Sequence, residues 1–174
     1  MTYTDDELAF LRSHRMLDPE LGTMNPDAKT GFLATVSSDG QPDGVAVSYE
    51  FDGTFIYIGG LNQLKSRKYR NVVAGNSKVS FFIEEREDEP PRLLKWMRIY
   101  GTADIVERKG SFDSMATHGA ENRDLSSYLR IAPNISWSFN LEGQRFGEFD
   151  AEKYKNRDTV RRNVHDSSDA AAKP

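Results

Sequence analysis

The sequence of 174 residues contains no cysteine and only three histidines. Without cysteine, neither a disulfide framework nor a thiolate active site can form. The three histidines (His14, His118 and His165) are scattered along the chain, so no metal centre is expected. No apolar run approaches the roughly 20 residues of a membrane-spanning helix, and the acidic, polar N-terminus does not resemble a signal peptide. We therefore expect a soluble, cytoplasmic protein.

The chain is acidic, with a formal net charge of −4, which argues against nucleic acid as the main partner. One segment differs, because residues 65–70 contain four cations and no acid. A concentrated positive site on an acidic protein indicates one bound anion, although a solvated helix face has the same composition. A basic helix that bound nucleic acid or an acidic partner would need more dispersed cations and exposed aromatic side chains.

The basic segment follows the glycine pair Gly59-Gly60, which ends an apolar run. This order predicts a strand, a tight turn and then a helix that begins near Asn62. The free backbone N–H groups at the start of such a helix would also favour a phosphate group.

Elsewhere, local patterns predict two short helices and several strands. Thr4 and Glu7 form a capping box, which predicts a helix of about ten residues. Asp-Gly pairs at 39–40 and 52–53 predict the hairpins of an antiparallel meander. A second helix is expected at 111–118 and an exposed charged loop at 84–92. The predicted strands are 31–36, 44–51, 54–58, 79–83 and 93–107, the last with a bulge or bend at Gly101. Residues 127–139 are expected to form a strand pair, or one strand with a break at Pro133 that lies on a sheet edge or at a bulge.

The predicted strand at 44–51 has two different faces. Its alternation places Val45, Val47, Tyr49 and Phe51 on one face, and Ala46, Ser48 and Glu50 on the other. The second face is small and polar, which suits a strand under a flat ligand and equally suits a strand that faces solvent.

Together these elements predict a mainly β (α+β) protein. Six or seven short antiparallel strands would form a small barrel with a few short helices, because closure removes free sheet edges. We divide the chain into an N-terminal helix and connector (1–30), the barrel (31–150) and a polar, flexible C-terminal tail (151–174).

Four segments, taken in order and spacing, resemble a known family. They are residues 31–42 (GFLATVSSDGQP), 66–71 (SRKYRN), 98–106 (RIYGTADIV) and 129–137 (LRIAPNISW). The sequence resembles the pyridoxamine 5′-phosphate oxidase-like, flavin-binding split barrels over residues 5–145. Within them it most resembles the actinobacterial branch that uses the deazaflavin coenzyme F-420 in place of FMN.

This resemblance implies a homodimer with two cofactor sites in clefts between the subunits. It implies that the cofactor phosphate is held by Ser66, Arg67 and Lys68, with Arg70 and Asn71 beside them. The cofactor ring would lie along Ala46, Val47, Ser48 and Tyr49. A basic groove for the polyglutamate tail of F-420 would draw on Lys65, Arg86, Arg92 and Lys95, each of which could equally be a solvated surface residue.

The sequence also departs from the oxidases that make pyridoxal phosphate. Residues 44–51 carry no cation where those enzymes carry phosphate-binding basic residues, and no counterpart of their substrate-binding arginine is found near the C-terminus. That activity is therefore not expected.

The expected function is that of an F-420-dependent oxidoreductase, which transfers hydride between the cofactor and a small conjugated organic substrate. An FMN-binding oxidoreductase of the same family and a non-catalytic flavin or deazaflavin carrier remain as alternatives. No catalytic residue is identified. Core or interface packing is the simpler interpretation of Tyr49, Tyr57, Tyr100, Trp96 and Trp137.

Overall fold

The structure is a computed structural model, and it describes residues 3–18, 23–60, 62–108, 126–146 and 159–164. These residues form two α-helices, one short 3₁₀ turn and ten strands. The helices are α1 (Asp5–His14) and α2 (Arg67–Val73), and the 3₁₀ turn is Gln63–Lys65. The strands are β1 (Leu17–Asp18), β2 (Thr23–Met24), β3 (Gly31–Val36), β4 (Pro42–Val47), β5 (Glu50–Phe51), β6 (Ile56–Ile58), β7 (Lys78–Glu87), β8 (Leu93–Arg108), β9 (Ser126–Phe139) and β10 (Val160–Asn163).

Eight of the strands form one antiparallel sheet, and this sheet is curled. Its order is β4-β3-β7-β8-β9-β6-β5, with β10 paired to the end of β9. In a flat sheet, β4 and β5 would lie about 29 Å apart at six strand spacings. Only Ser48 and Tyr49 connect these two strands, and three residue steps reach at most about 11 Å. The two ends of the sheet therefore approach each other, which produces a split β-barrel.

The core lies on the concave side of this sheet. Strand β3 alternates between buried and exposed residues, so Leu33 and Thr35 point inward while Phe32 points outward. Fully buried side chains from the other long strands complete the core, among them Phe81, Ile99 and Ile131. The barrel is thus filled by β-branched, leucine and phenylalanine side chains.

Helix α1 covers part of the barrel, and the predicted capping box is confirmed. The Glu7 N–H donates to Thr4 Oγ1 at 3.3 Å, and the Thr4 N–H donates to the Glu7 carboxylate at 3.0 Å. Phe10 and Leu11 pack into the core, and the Tyr49 hydroxyl donates to the Leu11 carbonyl at 2.8 Å. No helix in the described part of the chain is long and apolar enough to span a membrane.

The last residue of α1, His14, is buried beside the sheet. Its Nδ1 lies 2.7 Å from the Phe10 carbonyl oxygen, which can only accept, so the proton sits on Nδ1. Its Nε2 lies 3.5 Å from Glu85, which also pairs with Lys95. Burial lowers the pKa of His14 from its ordinary 6.5, and the opposing effects of the Phe10 hydrogen bond and Glu85 do not outweigh it.

We expect the free energy of unfolding to decrease as the pH falls below about 6.5. The unfolded chain then binds a proton at His14, whereas the folded chain keeps the imidazole neutral until the pH reaches its lower folded-state pKa. The contribution of His14 to the free energy of unfolding is therefore complete above pH 6.5. It is lost as the pH falls from the unfolded-state pKa of His14 to its lower folded-state pKa. Urea unfolding between pH 7.5 and 5 measures it, and His14→Gln should flatten this part of the profile. An identical slope in both proteins would contradict the assignment.

The prediction of one continuous strand at 44–51 was wrong. The chain stops pairing with β3 at Val47 and, after Ser48 and Tyr49, pairs with β6 as β5. Consequently Val45 is 37% exposed at the edge of the sheet, whereas Glu50 is buried and pairs with Arg108 at 2.9 Å. Local alternation cannot show that a strand changes its partner.

The long hairpin of β7 and β8 extends further than the sequence predicts. Residues 84–87 belong to β7, so the charged loop is restricted to residues 88–92. The predicted irregularity at Gly101 is confirmed as a shift of register between Tyr100 and Gly101. Opposite it, β9 is one continuous strand in which Asn134 is the extra residue at this shift, so the bulge predicted at Pro133 is confirmed and the alternative of two separate strands is not.

Part of the predicted flexible tail is a strand, which corrects that prediction for residues 160–163. Strand β10 pairs with β9 from Val160↔Ser138 to Asn163↔Ile135, and Val164 is buried. All four residues of β10 are exposed, so the segment has no apolar pattern and is held by backbone pairing. The domain boundaries otherwise stay a prediction, and the helix predicted at 111–118 lies outside the described residues.

Candidate functional site

The basic segment forms the beginning of α2, four to five residues later than predicted. Asn62 precedes the 3₁₀ turn and makes no side-chain cap, whereas Ser66 caps α2. The Ser66 hydroxyl accepts from the Tyr69 N–H at 3.3 Å and donates to the Gln63 carbonyl at 2.7 Å. Because its one proton is used in this way, Ser66 shapes the turn and has no free donor for a phosphate group.

Lys68 is the cation in this segment that has lost part of its hydration. It is half-buried, and this burial lowers the pKa of its ammonium group. No carboxylate of the described residues forms an ion pair with it. By contrast, Arg67 is largely exposed and lies 3.7 Å from Asp43. A partly desolvated cation without an acid beside it is a candidate for a ligand-binding residue.

The ammonium group of Lys68 lies over Gly60. A Cβ atom on Gly60 would stand 3.6 Å from Lys68 Nζ and 3.5 Å from Gln63 Oε1. Gln63 is buried, and its Nε2 donates to the Ile58 carbonyl at 3.0 Å. Its Oε1 is also buried and has no hydrogen-bond partner among the described residues. Gly60, Gln63 and Lys68 thus lie together after β6, and we call this group of three residues the Lys68 pocket.

Helix α2 is held against β3 and β4, so the basic segment adjoins the strand predicted to carry the cofactor ring. Arg67 reaches Asp43 of β4, and Asn71 donates to Thr35 of β3 at 2.9 Å. Among the described strands only β3 pairs with β4, so alternate N–H and C=O groups of β4 face away from the sheet. These backbone groups are available to a flat, polar ligand.

The remaining predicted site residues occupy different environments. Asn71 is buried and committed to Thr35, and Arg70 is exposed on the outer face of α2. Tyr49 is fully buried and committed to α1, so only its backbone can contact a ligand. Of the predicted ring-contacting residues, Ala46 is exposed, Ser48 is half-buried and Val47 is buried.

The residues predicted for a polyglutamate groove do not lie together. Lys65 is next to α2, but Arg86 pairs with Asp88, Arg92 bonds the Asp88 carbonyl, and Lys95 pairs with Glu85. Strand β7 pairs with β3 at Ser80, which lies opposite Ala34. Glu85 is five residues further along β7, so about 17 Å separates it from Ser80. Within one chain these three cations therefore belong to the far end of the β7–β8 hairpin.

Two of the aromatic residues lie on the convex face of the sheet. Trp96 stacks on Phe139 at 5.8 Å, and Trp137 lies opposite Arg98, whose guanidinium group is 5.3 Å from its ring. The donors Arg98 Nε and Trp137 Nε1 are both buried and have no acceptor among the described residues. This face also exposes Phe32, at 49%, and Val36, at 38%.

Gln63 is not among the site residues predicted from the sequence. The only signal for this residue in the sequence is that a polar side chain stands between two leucines, Leu61 and Leu64. No group of three or more potential metal ligands occurs within the described residues. The described arrangement can bind an anion and position a flat molecule at a strand edge, but it brings together no acid–base pair at the Lys68 pocket.

A curled antiparallel sheet with two short helices defines this molecule as a split β-barrel. The family model of pyridoxamine 5′-phosphate oxidase matches residues 17–138, which is more than two thirds of the chain. The chain therefore belongs to the pyridoxamine 5′-phosphate oxidase-like family of oxidoreductases, as the sequence motifs indicate.

Individual relatives and solved structures are similar to this chain. The 5a,11a-dehydrotetracycline/5a,11a-dehydrooxytetracycline reductase of Streptomyces rimosus is 31% identical over 148 residues, which cover 82% of this chain and 87% of the reductase. A conserved hypothetical protein of Mycobacterium tuberculosis has a similar fold, with a TM-score of 0.53 and 22% identity over 79% of this chain and 85% of its own. A solved F-420 reductase is 24% identical, with a TM-score of 0.48, and covers 72% of this chain and 92% of its own.

Proposed function

We propose that this protein is an F-420-dependent oxidoreductase that transfers hydride between the deazaflavin and a small conjugated organic molecule. The observation that carries the proposal is Lys68, a half-buried cation with no acid beside it in the described structure. The similarity to a reductase of dehydrotetracyclines, which are conjugated polycyclic molecules, supports the reaction type and the substrate class.

In this proposal, Lys68 binds the cofactor phosphate as a point charge inside the pocket. Arg67 is exposed enough to turn from Asp43 towards the same phosphate and to bind it with a planar fork. The β4 edge, from Ala46 to Tyr49, positions the ring through backbone groups and the Ser48 hydroxyl. When bound, the deazaflavin supplies the hydride chemistry, and the chain supplies alignment and exclusion of water.

No side chain is assigned as a proton donor. The Tyr49 hydroxyl donates to the Leu11 carbonyl, and the Tyr57 hydroxyl donates to Asp52 at 2.7 Å. Burial and the Asp52 carboxylate raise the pKa of Tyr57 to about 12, so it is a poor acid at neutral pH. Catalysis in this proposal therefore depends on cofactor alignment.

We also propose that the protein is a homodimer in the cytoplasm, with the convex face of the sheet in contact with a second copy. The exposed Phe32 and Val36 form an apolar area on this face.

FMN is the second candidate cofactor, because its phosphate would fit the Lys68 pocket equally well. Strand β4, however, contains no cation and carries Asp43 instead, which disfavours additional phosphate contacts from that strand. A non-catalytic carrier would use the same pocket and would show tight binding without turnover.

The test is a fluorescence titration of the cofactor-free protein with F-420 and with FMN. We expect tight F-420 binding, weaker FMN binding and, with reduced F-420, reduction of conjugated tetracycline-like compounds. Tighter FMN binding would favour the FMN oxidoreductase, and F-420 binding without turnover of any tested compound would favour the carrier. If neither cofactor bound, the proposal would be rejected and only the assignment of the fold would remain.

A further inference from the structure

The connection between β4 and β5 crosses from one edge of the sheet to the other in only two residues, Ser48 and Tyr49. In the described part of the chain neither residue pairs with another strand, because β4 ends at Val47 and β5 begins at Glu50. Sheet pairing therefore does not fix the position of this connection. The polar groups of Tyr49, which is fully buried, need partners from another element.

Tyr49 finds these partners at the C-terminal end of α1. Its hydroxyl donates to the Leu11 carbonyl at 2.8 Å, and its own carbonyl accepts from the Met16 N–H at 2.8 Å. Between these two bonds, its ring packs edge-on against Phe81, with 5.1 Å between the ring centroids. The connection is therefore attached to the end of α1 through both the side chain and the backbone of Tyr49.

Helix α1 can serve as an anchor because other contacts hold it on the barrel. At its end, the Ser13 carbonyl accepts from Asn25 Nδ2 at 2.7 Å, which satisfies a group that has no partner within the helix. Near its start, the Ser136 hydroxyl of β9 donates to the buried Glu7 carboxylate at 2.6 Å. These bonds fix both ends of α1 without any contribution from Tyr49.

We propose that Tyr49 is a positioning residue for the cofactor, because it attaches the connection between β4 and β5 to α1 and thereby fixes the backbone and hydroxyl of Ser48. This inference rests on the proposed function, in which residues 46–49 contact the cofactor ring. Exposure alternates along this segment, since Ala46 is exposed and Ser48 half-buried, whereas Val47 and Tyr49 are buried. The Tyr49 side chain therefore acts from inside the barrel, on the side away from the ligand.

Tyr49→Phe tests this proposal, because it removes the hydrogen bond to Leu11 and keeps the buried ring that packs in the core. We expect the Kd of F-420, or of FMN if the wild type prefers it, to rise roughly 3- to 10-fold, the range of one hydrogen bond. Ser136→Ala is the matched control, since it also removes one hydroxyl donor from an oxygen of α1. This control should lower the melting temperature of the full chain and leave the Kd unchanged.

The absorption spectrum of the bound cofactor provides a readout that a loss of stability alone would not change. Hydrogen bonds to the ring tune its electronic state, so a displaced Ser48 segment should shift the spectrum in Tyr49→Phe and not in Ser136→Ala. Combination with Lys68→Ala separates the ring from the phosphate. The two increases in Kd should multiply, because Tyr49 and Lys68 act on different parts of the cofactor.

An unchanged Kd and spectrum in Tyr49→Phe, with the wild type still binding its cofactor, would overturn the inference and leave the proposed function intact. An equal rise in Kd in Tyr49→Phe and Ser136→Ala would also overturn it, because the effect would then follow from general destabilisation. A combined effect with Lys68→Ala well below the product would place the action of Tyr49 at the Lys68 pocket, against the inference. If the wild type bound neither cofactor, the proposed function and this inference would both be rejected.

Discussion

Lys68→Ala is expected to lower cofactor affinity by roughly 1.5–3 kcal/mol, on the order of 10- to 150-fold in Kd. The physical reason is the environment of the ammonium group, which is half-buried and has no ion pair with an acid within the described chain. A phosphate bound there would face a cation that is poorly screened by water. Fluorescence titrations of the variant with F-420 and with FMN measure the loss.

Two exposed cations of the same segment provide matched controls. Lys65→Ala and Arg70→Ala each remove one positive charge from an exposed position. Because water and salt screen exposed charges, each of these variants should lower cofactor affinity by less than about 1 kcal/mol. In the absence of ligand, Lys68→Met should not lower the melting temperature, because an apolar side chain replaces a partly desolvated cation. An unchanged Kd in Lys68→Ala would remove the phosphate role from this residue.

The pH dependence of binding provides a second readout of the same contact. Burial lowers the pKa of the free Lys68 ammonium, and a bound anion would raise it again. The affinity for the cofactor should therefore be highest at pH values below the pKa of Lys68 in the ligand-free protein. It should decrease as the pH rises through that pKa. Lys68→Arg should remove this alkaline decrease, because a guanidinium group remains charged throughout that range.

Much of the fold follows from local sequence signals. The Thr4 capping box predicts the ten residues of α1, and the Asp-Gly pairs at 39–40 and 52–53 lie in turns between paired strands. These signals are reliable because each depends on backbone geometry within four residues. Gly101 similarly indicates the register shift between β8 and β9, because glycine in a long strand is otherwise unfavourable.

What the sequence does not predict depends on contacts between distant segments. The alternation from Val45 to Phe51 is continuous, yet the chain exchanges one sheet edge for the other at Ser48 and Tyr49. Strand β10 has no apolar pattern at all, because both of its faces are exposed and its pairing with β9 supplies the hydrogen bonds. In both cases the determining interaction lies in the partner strand.

The candidate site also combines features that local sequence predicts with features that only the folded chain shows. Charge density alone identifies the segment that contains Lys68, but it cannot distinguish Lys68 from Lys65, Arg67 or Arg70, which differ only in burial and partners. Ser66 and Asn71 are polar and near the cations, yet the fold uses them for a helix cap and a bond to Thr35. Gln63 is identified only when its buried oxygen lacks a donor.

Gly101→Ala is expected to destabilise the protein by about 3 kcal/mol, the upper part of the range for overpacked cores. A Cβ atom at this position would lie 2.5 Å from the Ala132 carbonyl oxygen and 2.8 Å from the Ile131 side chain. The first contact is with backbone and Ile131 is fully buried, so neither neighbour can yield without moving β9. Thermal unfolding should show a decrease of about 6–12 °C in melting temperature.

Gly44→Ala is the matched control, because Gly44 also lies inside a strand but has open space around it. No atom lies within 4 Å of the position that its Cβ would occupy. We expect a change within about 0.5 kcal/mol, with any gain arising from the lower chain entropy of the unfolded state. Equal losses in the two variants would attribute the effect to glycine itself rather than to the close approach of β8 and β9. A loss confined to Gly101→Ala would show that the close approach of β8 and β9 at the register shift requires a residue without a side chain.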